Sequence, residues 1–204
     1  MGVNEMIPAT QTHTLADTLF PASAESNKWM RNVLLAVGGT VLLTIAAKMN
    51  IPFYPVPLTM TTFVVLTIGM AFGWRLGGAT VALYLAEGAI GLPVFAGTPE
   101  KGIGLAYMAG PTGGYLLGYL VAAVVVGWLA EKGWDRNVFT TLAAMIIGTA
   151  IIFAPGIYWL GVLFGWDKPI LAWGLWPFMA GAGFKVALAA AVLPLAWQFL
   201  ATKK

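Results

Sequence analysis

Six long apolar runs dominate the chain, over residues 30–47, 57–72, 76–92, 115–130, 138–164 and 176–201, and short polar or glycine-rich intervals separate them. None alternates with the period of two that a half-buried strand needs. Each approaches the ~20 residues that carry a helix across the hydrocarbon core of a bilayer, and flanking Trp and Tyr extend the shorter ones into the interfaces. The pattern predicts an all-α integral membrane protein of six transmembrane helices. Residues 1–28 are polar and read as a flexible cytoplasmic N-terminal tail, leaving 29–204 as one six-helix membrane substrate-binding domain. The tail has no basic stretch followed by an apolar run, so it does not read as a signal peptide.

The connections are unequal. Gly73-Trp74-Arg75 and residues 131–137 are short, whereas 48–57 and 92–112 are longer and rich in Gly and Pro. Basic residues sort the same way. Lys28, Arg31, Arg75, Lys132, Arg136, Lys203 and Lys204 fall on the side of the short turns, against Lys48, Lys101 and Lys168 on the other, which predicts cytoplasmic N- and C-termini. Ligand entry from outside, under loops that close over it, follows from that asymmetry.

Composition then removes whole classes. Hydrophobic residues make up 59% of the 204 and charged residues 9%, more apolar surface than a soluble core hides. The net charge of +3 is a topology signal; no basic run with interleaved aromatics suggests nucleic acid. There is no cysteine, no HExxH and no GxxxxGK[ST], and the lone histidine, His13, sits in the tail, so neither metal ligands nor a catalytic residue nor a cofactor site is predicted. Any ATP-driven step requires partners.

Lys185 stands out, about eight residues into the last apolar run. A lysine at that depth must meet a polar cavity, a partner or an interface. Gly181, Ala182 and Gly183 precede it, no acid lies within a turn or two, and an anionic ligand would neutralise it. Glu87 is the one acid inside an apolar run; it faces a ligand or lies at the interface near Lys101. Tyr54, Phe95, Tyr115 and Tyr158 are on or beside the long loops and are candidate walls for a largely apolar ligand. Thr98 is a candidate to turn inward. Thr112, Gly113 and Gly114 open a helix whose first N–H groups are available to a carbonyl or carboxylate.

The segment GLPVFAG from Gly91, followed about a dozen residues later by GPTGGYLLGY from Gly110, resembles the BioY family, the biotin-specific S components of energy-coupling-factor (ECF) vitamin transporters. The likeness extends upstream through IPFYPVPLT from Ile51 and to Lys185. It implies a subunit of the bacterial or archaeal cell (inner) membrane that captures biotin from outside. It also implies a membrane-embedded T component and two ABC-type ATPases as partners, with reorientation in the bilayer on ATP hydrolysis, and gives Lys185 the biotin carboxylate. Ala182 stands where the family pattern has aspartate, and Thr61 where it often has glutamine, so an S component for another small carboxylate is the alternative. Ala36, Thr40 and Thr44, small residues four apart, match the way S components dock their T component. From a different class, an integral-membrane enzyme needs a nucleophile and base, or metal ligands, that this chain does not offer.

Overall fold

In a computed structural model the described residues are 14–21 and 25–201, so His13 and most of the expected tail lie outside them. The described part is helical apart from a two-residue hairpin ladder. Its elements are α1 (Leu15–Leu19), α2 (Glu25–Lys48), β1 (Asn50–Ile51), β2 (Leu58–Thr59), α3 (Thr61–Ala89), α4 (Gly104–Met108), α5 (Gly113–Glu131), α6 (Val138–Phe164), α7 (Ile170–Gly174) and α8 (Trp176–Ala201). Five of these, α2, α3, α5, α6 and the α7–α8 stretch, are long and apolar enough to cross a membrane.

The expected second and third helices share the label α3, and the three-residue turn between them shrinks to Gly73 alone. Gly73 has φ +77° and ψ 174°, a conformation an L side chain resists, and a Cβ there would lie 2.5 Å from Glu131 Oε1. The chain reverses at this point. A Cβ on Gly77 would sit 2.9 Å from the Cα of Gly69, whereas eight residues of straight helix separate positions by roughly 12 Å. The arm over 61–72 is roughly 18 Å long and that over 74–89 roughly 24 Å. The first arm begins later than the sequence pattern suggests because Leu58 pairs with Ile51 and Thr59 with Asn50, committing those residues to the antiparallel ladder.

The alternating chain direction gives the bundle two ends. One, the turn end, carries Gly73, residues 132–137, α1, the start of α2 and the finish of α8. The other, the loop end, carries the β1–β2 hairpin, residues 90–112 and α7. Packing between α5 and α6 is close because Gly118 abuts the backbone of Ile152, where an added Cβ would come within 2.8 Å of the Ile152 Cα, and Gly114 similarly faces the Pro155 carbonyl. The core holds Tyr84, Met70, Val126, Met145, Ile152 and Leu160, all 1% exposed or less. Elsewhere large apolar side chains point outward, Leu34 and Val41 of α2 among them, as a lipid-facing surface requires.

Two expectations change here. The tail is not featureless where it is described: Thr14 caps α1 in a capping box with Asp17, Leu15 and Ala16 are buried, and Asp17 pairs with Arg31 at 2.9 Å. The small-residue stripe of α2 is also turned inward. Thr40 is 3% exposed, its hydroxyl donates to the Val37 carbonyl at 3.0 Å, and neighbouring Gly39 packs against Thr80, Ile68 and Phe72 of α3, so a partner cannot reach Thr40 without displacing α3. Ala36 and Thr44 are half-buried beside it.

Candidate functional site

Beneath the loop end lies a cavity enclosing about 810 Å³ of space free of protein atoms, its mouth and the open solvent there included. All five long helices and both long loops contribute to its walls. α2 gives Ala47, the hairpin Val56 and Thr59, α3 Thr61, Thr62 and Tyr84, α5 Tyr115 and Tyr119, α6 Phe153, and α8 Ala182 and Lys185. The lining is mainly apolar, with hydroxyls at intervals and one formal charge, that of Lys185.

Lys185 is placed by its register on α8. It and Ala182, three residues apart, share the inward face, while Phe184 is 67% exposed on the outward one. Its ammonium donates to the Thr59 carbonyl and to Thr62 Oγ1, the latter at 3.1 Å. No carboxylate pairs with it among the described residues, so its charge is met by neutral oxygens on the wall of a mainly apolar cavity. That arrangement suits an anion entering the cavity. Gly181 and Gly183 leave open space beside the helix, with no atom within 4 Å of a Cβ built on either.

The roof is the segment between Val94 and Thr98. Phe95, 1% exposed, stacks on Tyr107 with ring centroids 5.1 Å apart and meets Tyr84 edge-on at 5.3 Å. The segment has no regular structure, so side chains satisfy its carbonyls. Tyr84 Oη donates to the Val94 carbonyl at 3.1 Å and Tyr107 Oη to that of Ala96 at 2.8 Å. Burial raises the pKa of the Tyr107 phenol, with Thr112 opposing, so it stays a neutral donor at physiological pH. Farther round the mouth, Tyr115 Oη donates to Gly174 of α7 at 2.8 Å and Trp159 Nε1 to Gly110 at 2.9 Å.

Of the residues expected to form a site, Lys185, Thr61, Phe95, Thr112 and Tyr115 are brought together on the cavity wall. Thr98 is buried behind the roof. Gly113 and Gly114 are buried as packing positions, and the Gly113 N–H is already used, donating to the Gly110 carbonyl at 3.0 Å. Glu87 is half-buried and off the cavity lining. Tyr54 is 75% exposed, and Tyr158 stacks against Trp166 outside the cavity, so neither is a wall of the site. Sequence reading missed Thr59, Thr62, Tyr84, Tyr107, Tyr119, Phe153 and Phe178. Tyr115 and Tyr119 carry a usable signal, since hydroxyls four residues apart lie on one face of an apolar helix and need polar company there.

A membrane-spanning helical bundle with a mainly apolar cavity under one set of loops and one half-buried cation on its wall suits the binding of a small anionic molecule. The profile of the BioY family matches residues 14–202, and the chain belongs to that family. It is 36% identical over 163 residues to the biotin transporter BioY of Thermotoga maritima, covering 80% of this chain and 94% of that one. The probable biotin transporter BioY of Pyrococcus horikoshii is 31% identical, with 78% and 91% of the two chains covered. A crystal structure of the S component for biotin from an ECF-type ABC transporter shares the fold, with a TM-score of 0.71 at 24% identity over 87% of this chain and 95% of that one. The chain accordingly belongs to a family of transporters and not of enzymes.

Proposed function

We propose that this protein is the biotin-capturing S subunit of an ECF-type transporter, taking biotin from the outer face of a bacterial or archaeal cell membrane. The observation that carries the reading is Lys185, a lone cation on the wall of a mainly apolar cavity within a family whose named relatives are biotin transporters. The carboxylate meets Lys185, the ring system lies among Phe95, Tyr115, Phe153 and Phe178, and Thr61 and Thr112 offer hydroxyls. A T component and two ABC-type ATPases supply the energy, since the chain has no phosphate-binding loop of its own.

Counting the two arms of α3 as separate crossings, although each arm is shorter than the ~30 Å hydrocarbon core, gives six transmembrane helices with both termini in the cytoplasm and the loop end outside. Purified without added vitamin and then titrated, the protein binds biotin with one-to-one stoichiometry; binding of another vitamin in place of biotin overturns the ligand assignment. Cysteine placed at Lys101 is labelled from outside intact cells and cysteine at Gly133 is not. The reverse pattern overturns the orientation.

A further inference from the structure

Lys48, the last residue of α2, reaches across to the roof segment and not to the cavity. Its ammonium donates to the Phe95 carbonyl at 3.1 Å, the Thr98 carbonyl at 2.7 Å and Thr98 Oγ1 at 3.1 Å, and Thr98 Oγ1 itself donates to the Phe95 carbonyl at 2.6 Å. A lysine ending a helix ordinarily serves that helix's own last carbonyls. Here all three oxygens that receive it belong to one loop some fifty residues onward, and no carboxylate pairs with it among the described residues. Of the side chains that hold the roof carbonyls, Tyr107 belongs to α4, inside the same 90–112 connection, and travels with it. Tyr84 and Lys48 tie the segment to the long helices, and of these two Lys48 is the exposed one.

We propose that Lys48 is a positioning residue that holds the Val94–Thr98 roof shut, and that it sets how fast a captured ligand escapes without touching that ligand. The proposal rests on the biotin-capture reading for its ligand but not for its geometry. Phe95 and Ala96 line the cavity, so releasing the carbonyls of Phe95 and Thr98 frees the wall they carry. The bonds are charge-assisted and so hold the roof, yet they lie at the water-accessible edge, where water can replace them, which makes the roof a route by which the cavity opens.

The test uses the full chain in lipid nanodiscs. Without ligand, amide exchange at Val94, Thr98 and Lys101, whose N–H groups are bonded to Leu92, Phe95 and Gly97, reports the roof directly. Lys48→Met speeds that exchange on the order of tenfold, and Lys48→Arg restores most of it. Biotin dissociation accelerates by a similar factor in Lys48→Met, equally for biotin and biotin amide. Unchanged exchange in Lys48→Met overturns the proposal, and so does a loss confined to the acid, which would make Lys48 a direct carboxylate contact. If wild type binds no biotin, the functional reading fails while the exchange result still judges the latch. Should Lys48→Met fail to fold, Lys48→Gln decides. It keeps a neutral donor on a shorter stem and leaves every bond within the roof in place, so exchange rises by a smaller, roughly threefold factor if the latch exists and stays at the wild-type rate if it does not.

Discussion

The two ends of the bundle solve the same problem in opposite ways. At the turn end the connections are short and side chains close them tightly: Glu131 Oε1 accepts from the Trp74 N–H at 3.2 Å where α3 restarts after Gly73, and Trp197 Nε1 donates to buried Asp135. At the loop end the connections are long, and their carbonyls are held one at a time by Tyr84, Tyr107, Lys48 and Tyr115. The first solution draws the helix ends together. The second holds loops away from the helix ends, and the cavity is the room between. On the proposed function, substitutions at the turn end are expected to change stability without changing binding, and those at the loop end to change binding.

The largest effect belongs to the cavity. Lys185→Met removes its one charge, and a charge-assisted bond in a dry site contributes about 1.5–3 kcal/mol, so biotin binding weakens by about ten- to a hundredfold while biotin methyl ester, already weaker on wild type, is nearly indifferent. Titration of both ligands against both proteins checks this. An equal loss for acid and ester would assign Lys185 to the fold.

Next comes the roof. A Cβ on Gly88 would fall 2.0 Å from the Phe95 ring, so Gly88→Ala expels Phe95 from its seat between Tyr84 and Tyr107. Overpacking of this kind costs about 1–3 kcal/mol. Binding of acid and ester falls together, on the order of tenfold, and proteolysis at Lys101 speeds up. A protected loop with intact binding in this variant would mean that the roof is not the closing element.

How much of this was legible in the sequence divides along the same line. The apolar runs 138–164 and 176–201 coincide with α6 and α8 because nothing but length and hydrophobicity decides them. The start of α3 did not follow, since the pairing of residues 58 and 59 with 51 and 50 is a non-local choice that hydropathy does not encode. Lys185 was legible as a charge inside an apolar run. Tyr158 and Tyr54 were misassigned because proximity to a loop says nothing of which way a ring faces, and Thr40 because small residues serve an internal helix as well as an external one. Lys48 counted only as a basic residue for topology; two of its three bonds are to main-chain carbonyls, which carry no residue-specific signal, and the third is to a side chain fifty residues away.

At the turn end the largest expectation concerns Asp135. Burial raises its carboxyl pKa above the ordinary value, partly opposed by the bond from Trp197 and the nearby Arg136 guanidinium, and Oδ1 has no partner in the structure. Trp197→Phe leaves both oxygens unbonded and costs about 1–3 kcal/mol when the group is ionised. A folded pKa above the unfolded one means the fold opposes ionisation, so stability declines as pH rises through the raised value. The lost bond favours the ionised form. The gap in Tm between wild type and Trp197→Phe is therefore widest above that pH and closes as the carboxyl is protonated below it, with biotin affinity unchanged throughout. A gap independent of pH would show that the indole matters by packing alone.

The smallest effect is that of the strap formed by α1. Burial pushes the Asp17 carboxyl pKa up, but hydrogen bonds from Thr14 and the pairing with Arg31 outweigh it and leave the pKa below its ordinary value. A depressed folded pKa stabilises the fold above the unfolded value near ~3.9, and that contribution is lost as pH falls through the lower folded one. The Asp17 side chain is 36% exposed, so solvent screening limits the pair to about 0.2–1 kcal/mol. For a chain of this size Asp17→Asn lowers Tm at pH 7 by at most about 2–4 °C. The difference shrinks in 1 M salt and disappears at the acidic end, where wild type has lost the same charge. Biotin binding does not change, because the strap lies at the turn end, under Gly73 and away from the cavity. A drop in affinity in Asp17→Asn would mean that the two ends are coupled through α3, and the separation of stability from function would fail at that point.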